Sequence, residues 1–142
     1  MTVQAPAAAA ITGIACVYLP VSDVYASTQW YVRCLGLEVG PNTPLVPEMG
    51  HAILIYPSRG PAVFLLGSDD ISTPTATARR RDGQETLNFC FFVTDVQAVM
   101  DRLKANGVRL ETDELVERGG CGTNIRCYDP DGNKLEFCQP RS

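Results

Sequence analysis

Histidine is almost missing from this 142-residue chain: His51 is the only one. A centre built on several imidazoles is therefore out of reach. None of the six cysteines stands in a CxxC pair, so the chain has no thiolate metal knuckle. No Gly-rich phosphate loop and no Ser-His-Asp arrangement can be read. Basic excess is missing too: 12 Lys and Arg stand against 16 Asp and Glu, giving a net charge of −4. That balance argues against nucleic acid or an anionic membrane surface as partner. No apolar run approaches the roughly 20 residues that a spanning helix needs. The Ala-rich start, residues 1–10, lacks the basic n-region of a signal peptide and reads as a flexible tail.

What is present fits one globular domain. Hydrophobic residues make up 45% of the chain and charged residues 20%. A chain of this length can bury roughly two-thirds of its unfolded surface. Most of the cysteines lie inside predicted strands or a helix, where a free thiol behaves as a small hydrophobe. A reduced, cytoplasmic protein is the expectation.

The pattern predicts a strand over Ile11–Leu19 and a helix over Val24–Cys34 capped by Asp23. Ser27, Trp30, Tyr31 and Cys34 form the core-facing stripe of that helix, and Gly36 ends it. A short strand at Leu37–Gly40 follows, then a Pro-rich loop and strands at His51–Tyr56 and Ala62–Leu66. Residues 68–85, polar and carrying Arg79-Arg80-Arg81, read as a solvated linker. The second half repeats the order. It has a strand at Thr86–Val93, a helix at Val96–Ala105 capped by Asp95, and a short strand at Val108–Glu111. Leu115–Cys121 is a connection, and a hairpin closes the chain. In that hairpin Asp129-Pro130-Asp131-Gly132-Asn133 is a strong turn signal between strands Thr123–Tyr128 and Lys134–Gln139.

The halves can be superposed by counting. A shift of 72, the separation of Asp23 and Asp95, lays Val21-Ser22-Asp23-Val24 on Val93-Thr94-Asp95-Val96. A shift of 71 lays Val63-Phe64-Leu65-Leu66 on Lys134-Leu135-Glu136-Phe137. The expected fold is thus α+β, two tandem βαβββ modules at about 11–67 and 86–139.

The module order, the Val-x-Asp-Val helix starts, Leu35-Gly36-Leu37 and the terminal Asp-Pro-Asp-Gly-Asn-x-x-Glu-Phe resemble the vicinal oxygen chelate superfamily. It comprises glyoxalases, bleomycin-resistance proteins, fosfomycin-resistance enzymes and extradiol dioxygenases. The resemblance implies a cupped sheet and a homodimer, with metal ligands at four equivalent strand positions in the metalloenzymes. Carried over, those positions are Cys16, Leu65, Asn88 and Glu136. A thiol, an alkyl chain, an amide and one carboxylate are a poor donor set, so no metal and no other cofactor is expected.

If Cys16, Asn88 and Glu136 face the cup, strand alternation sends Tyr18, Val63, Cys90, Phe92, Lys134 and Cys138 to the same side. Such a lining suits a largely apolar or aromatic small molecule. The resemblance then implies metal-independent binding, as in antibiotic or natural-product sequestration. The alternative is a metal-free enzyme that uses Glu136 as acid or base for isomerisation, cyclisation or epoxide opening. A metal-dependent lyase, thiol transferase or dioxygenase ranks third. The plain readings are a Glu136 paired with Lys134 or an arginine, cysteines that fill a core, and a His51 at the rim.

Overall fold

The computed structural model describes residues 11–56, 60–70, 77–83, 85–87, 89–119 and 122–141. The first module runs β1 (Cys16–Val21), α1 (Val24–Leu35), β2 (Glu38–Val39), β3 (His51–Ile55) and β4 (Ala62–Gly67). Next come two short strands, β5 (Thr77–Arg79) and β6 (Glu85–Leu87). The second module follows with β7 (Phe91–Phe92), α2 (Val96–Ala105), β8 (Val116–Glu117), β9 (Thr123–Tyr128) and β10 (Lys134–Gln139). Each module forms a mixed four-stranded sheet, ordered β1-β4-β3-β2 and β7-β10-β9-β8. In both, the first strand pairs parallel to the last and the others pair antiparallel. The α+β architecture of two β-rich modules is as the sequence predicts.

Both helices start and stop where the residues dictate. Asp23 accepts from the Ala26 amide at 3.0 Å, and Asp95 accepts from Ala98 at 3.0 Å, so each cap satisfies an otherwise orphaned donor. Gly36 ends α1 in the left-handed region at φ 73°, where a side chain would be strained. Tyr31 and Cys34 on α1, with Val96, Met100 and Leu103 on α2, face the sheets. There they join Leu19, Val21, Leu54, Leu65, Ile125, Leu135 and Phe137 in one core shared by both modules.

Four predicted boundaries are corrected. The first strand is not Ile11–Leu19 but Cys16–Val21. The stretch read as linker contains β5, which pairs with β6 as a small antiparallel hairpin; Arg80 sits on its turn beside Asp82 at 3.5 Å. Thr86–Val93 is not one strand but two pieces, β6 and β7. Val108–Glu111 reduces to a single bridge, Leu110 to Cys127, and pairing along that edge of β9 resumes at β8.

The modules are tied together through the last turn. Asp129 is 5% exposed, and its carboxylate accepts four hydrogen bonds. Asp131 N donates at 2.9 Å, Asn133 N at 2.8 Å, Asn133 Nδ2 at 2.8 Å and Tyr31 Oη at 2.7 Å. Asn133 Nδ2 also donates to the Pro20 carbonyl at 2.9 Å. Asp131 accepts from the Ser22 hydroxyl at 2.6 Å and from the Ser22 amide at 3.0 Å. The hairpin turn thereby grips the β1–α1 junction more than a hundred positions away in sequence.

Burial first, then the charge and hydrogen bond of Asp129, holds the Tyr31 phenol well above its ordinary value. Because the folded state retains this proton more tightly, its contribution to stability is complete below about pH 10 and is lost as pH rises further. Tyr31→Phe should cost about 1.5–3 kcal/mol at pH 7, as for a hydrogen bond to a charged group. The gap between wild type and variant should narrow above pH 10. Denaturant unfolding from pH 7 to 11 checks both; a gap that widens with pH contradicts the assignment.

Candidate functional site

The side chains that alternate with the core define a second surface on each sheet, the face turned away from the core. In the first module the register aligns Tyr18 with Phe64 and Phe64 with Ile53, so Cys16, Tyr18, Phe64, Leu66, His51 and Ile53 share this open face. Three rings meet there. Tyr18 and Phe64 lie 5.3 Å apart at 49°, and His51 stacks on Phe64 at 5.4 Å and 15°. Tyr18 is 63% exposed, too open for a ring that serves only as packing. Its phenol is held above the usual value by the hydrogen bond and then the charge of Cys16. This is an aromatic platform with one imidazole at its edge.

The equivalent face of the second module is of opposite chemistry. Lys134, Glu136 and Cys138 alternate along β10, facing Tyr128, Arg126 and Asn124 on β9 and Phe92 on β7. Arg126 Nε donates to Glu136 Oε2 at 2.6 Å, and Arg126 Nη1 lies 3.7 Å from Glu111 Oε2. Lys134 Nζ closes the chain on Glu111 Oε1 at 3.0 Å. Arg109 lies over the Tyr128 ring at 3.9 Å. Phe92 is 74% exposed beside this cluster. Burial, then the charge and hydrogen bond of Glu136, and then Cys138 push the Cys90 thiol far up. Cys90 is thus held as a protonated thiol, which is not the nucleophilic form. Cys127, pushed up to about 12 by burial and the charges of Asp129 and Cys34, belongs to the core.

The predicted lining divides. Cys16 and Tyr18 lie on one open face; Phe92, Lys134, Glu136 and Cys138 gather on the other, with Cys90 in reach of Glu136 and Cys138. Asn88 lies outside the described residues. Val63 and Leu65 are placed elsewhere: both are 0% exposed, on the helix side, in register with Val17 and Leu19. The reason is a repeat shift of 71 applied where 72 holds. Phe137 pairs with Phe91 as Leu65 pairs with Leu19, so the counterpart of Glu136 is Phe64. A slip of one residue moves a side chain through the sheet. Sequence reasoning also missed Phe64, Arg126 and Glu111 and placed His51 only at a rim. The turn Asp129–Asn133 could have revealed Arg126, because its length fixes the register that sets Arg126 opposite Glu136.

The resemblance implies metal ligands at these positions in the metalloenzymes, and the residues here do not suit a metal. Phe64 cannot ligate, Glu136 is engaged by Arg126, and His51 stacks on a ring. Among the described residues no group of three or more His, Cys, Asp or Glu side chains could hold an ion.

A family model for the Glyoxalase/Bleomycin resistance protein/Dioxygenase superfamily matches residues 13–137, and the chain belongs to that superfamily. No curated protein sequence matches it. Among solved structures it resembles TnmS3, an antibiotic binding protein from Streptomyces sp. CB03234. Identity is 20%, 93% of this chain and 98% of that one are covered, and the TM-score is 0.70. The fosfomycin resistance protein FosX from Listeria monocytogenes is also similar: 20% identity, 93% and 96% coverage, TM-score 0.64. So is a lactoylglutathione lyase from Agrobacterium tumefaciens: 19% identity, 91% and 94% coverage, TM-score 0.61. The similarity is one of fold, which serves both binding and catalysis in this set.

The Arg126–Glu136 pair is the most constrained contact of the charged face, each side chain being 13% exposed. A double-mutant cycle with Arg126→Met and Glu136→Gln should give a coupling of at least about 1 kcal/mol in unfolding free energy. Additive effects would show that the pair is only a surface contact.

Proposed function

We propose that the chain binds a largely apolar or aromatic organic molecule on its open sheet faces and holds it without a metal and without changing its bonds. Sequestration of an antibiotic or similar natural product is the function that this chemistry fits. The observation that carries the reading is the Tyr18–Phe64–His51 platform, three rings gathered on the sheet face turned away from the core. Exposed aromatic surface of this kind marks a recognition site. In TnmS3 the same fold serves an antibiotic binding protein.

A second copy of the chain is the natural cover for such faces, and a homodimer in a reduced, cytoplasmic setting completes the reading. Glu136 as a catalytic base is the competing reading, and the geometry disfavours it. Its Oε2 already accepts from Arg126, which is itself held by Glu111, so one of its two oxygens is committed to an ion pair.

The test is calorimetric binding of a panel of polycyclic aromatic antibiotics in the presence of a metal chelator. Bound compound is then released and weighed. We expect at least one compound to bind and return with unchanged mass, and Phe64→Ala to weaken it about tenfold, as for loss of one aromatic contact. Conversion of the bound compound, abolished by Glu136→Gln, would replace this reading with the enzymatic one.

A further inference from the structure

The charged face restricts what the ligand can carry. Glu136, Arg126, Glu111 and Lys134 form a chain of alternating sign, with contacts of 2.6, 3.7 and 3.0 Å. Two carboxylates and two cations cancel, and their side chains are only 13–29% exposed. The inner members, Arg126 and Glu111, each hold two partners. The ends, Glu136 and Lys134, are two residues apart on β10 and therefore about 7 Å apart on one face. One end is an acceptor and the other a donor.

A second observation points the same way. Asn124 is the β9 partner of Cys138, on this same face, and is 2% exposed. Its Oδ1 accepts no hydrogen bond among the described residues. A buried acceptor without a donor is costly, and a ligand N–H or O–H entering beside Cys138 would relieve it. Within this chain of four a ligand bearing net charge finds no uncompensated opposite charge, and a further cation of the face, Arg109, lies against the Tyr128 ring at 3.9 Å. A charged ligand must either lose water without gaining a partner or break an existing pair.

We propose that the ligand of this face is uncharged, an aromatic or apolar molecule bearing an amide- or hydroxyl-type group, and that the balanced four-charge chain selects against carboxylates and amines. Discrimination here comes as much from what the face rejects as from what it attracts. The inference rests on reading this face as part of the ligand site.

Three probes that differ only in charge test it: naphthalene bearing a carboxamide, a carboxylate or an aminomethyl group, at pH 7, with affinities from ligand-observed NMR. Wild type should bind the carboxamide at least tenfold more tightly than either ion. Glu111→Gln, at the more exposed and more replaceable carboxylate, leaves the face net positive and should bring the carboxylate level with or ahead of the carboxamide. Arg126→Met leaves it net negative and should do the same for the ammonium. Asn124→Leu should weaken carboxamide binding while raising stability, because it removes an orphaned acceptor. Binding of all three probes without discrimination, or a wild-type preference for an ion, overturns the inference alone. Failure of all three to bind contradicts the ligand-site reading as well, and the inference falls with it.

Discussion

The buried carboxylate of Asp129 is the constraint on which the two-module arrangement depends. Burial holds it above the usual carboxylate range even though donors from Asn133, Tyr31 and Asp131 pull the other way. A carboxylate this enclosed is tolerable only when its lone pairs are matched, and here four donors match them. Two of those donors are backbone amides of its own turn, so the knot shapes the hairpin. A third is Tyr31 on α1, so it also fixes the hairpin against the first module. The same turn sets the β9–β10 register and thereby places Arg126 opposite Glu136. The charged face is a consequence of how the last hairpin closes.

Two modules of like strand order give two faces of the same geometry, and their residues make them unlike. Position for position, Phe64 stands where Glu136 stands, and Ala62 where Lys134 stands. One face offers rings, and the other sets paired charges beside Phe92 and Tyr128. A symmetrical metal centre would need the same donors on both, whereas an amphiphilic organic ligand profits from the difference. The fold is common to binders and enzymes, and this asymmetry adds to the proposal of binding that the aromatic platform carries.

Much of the fold was legible before any coordinates. Asp23 and Asp95 announced the helix starts, Gly36 a helix end, and Asp129–Asn133 the hairpin, because each residue type solves a local backbone problem that few others solve. The face assignment of β4 was not legible. Ala62-Val63-Phe64-Leu65-Leu66 is apolar throughout, so no polar–apolar alternation marks which side is buried. Burial shows that Val63 and Leu65 turn inward, while Phe64, in register with the exposed Tyr18, turns out. In β10 the alternation of Lys134, Glu136 and Cys138 with Leu135 and Phe137 was plain, and the structure places those residues as read. The small β5–β6 hairpin escaped notice because its pairing is set by the meeting of two short polar segments and not by apolar periodicity.

The most direct test of the central claim is native mass spectrometry of the protein freshly isolated from the cells that make it. One spectrum reports oligomer mass, metal content and any retained small molecule. The account predicts a dimer carrying an intact, uncharged organic molecule and no stoichiometric divalent metal. A stoichiometric metal ion, or a retained molecule already converted to product, would contradict it.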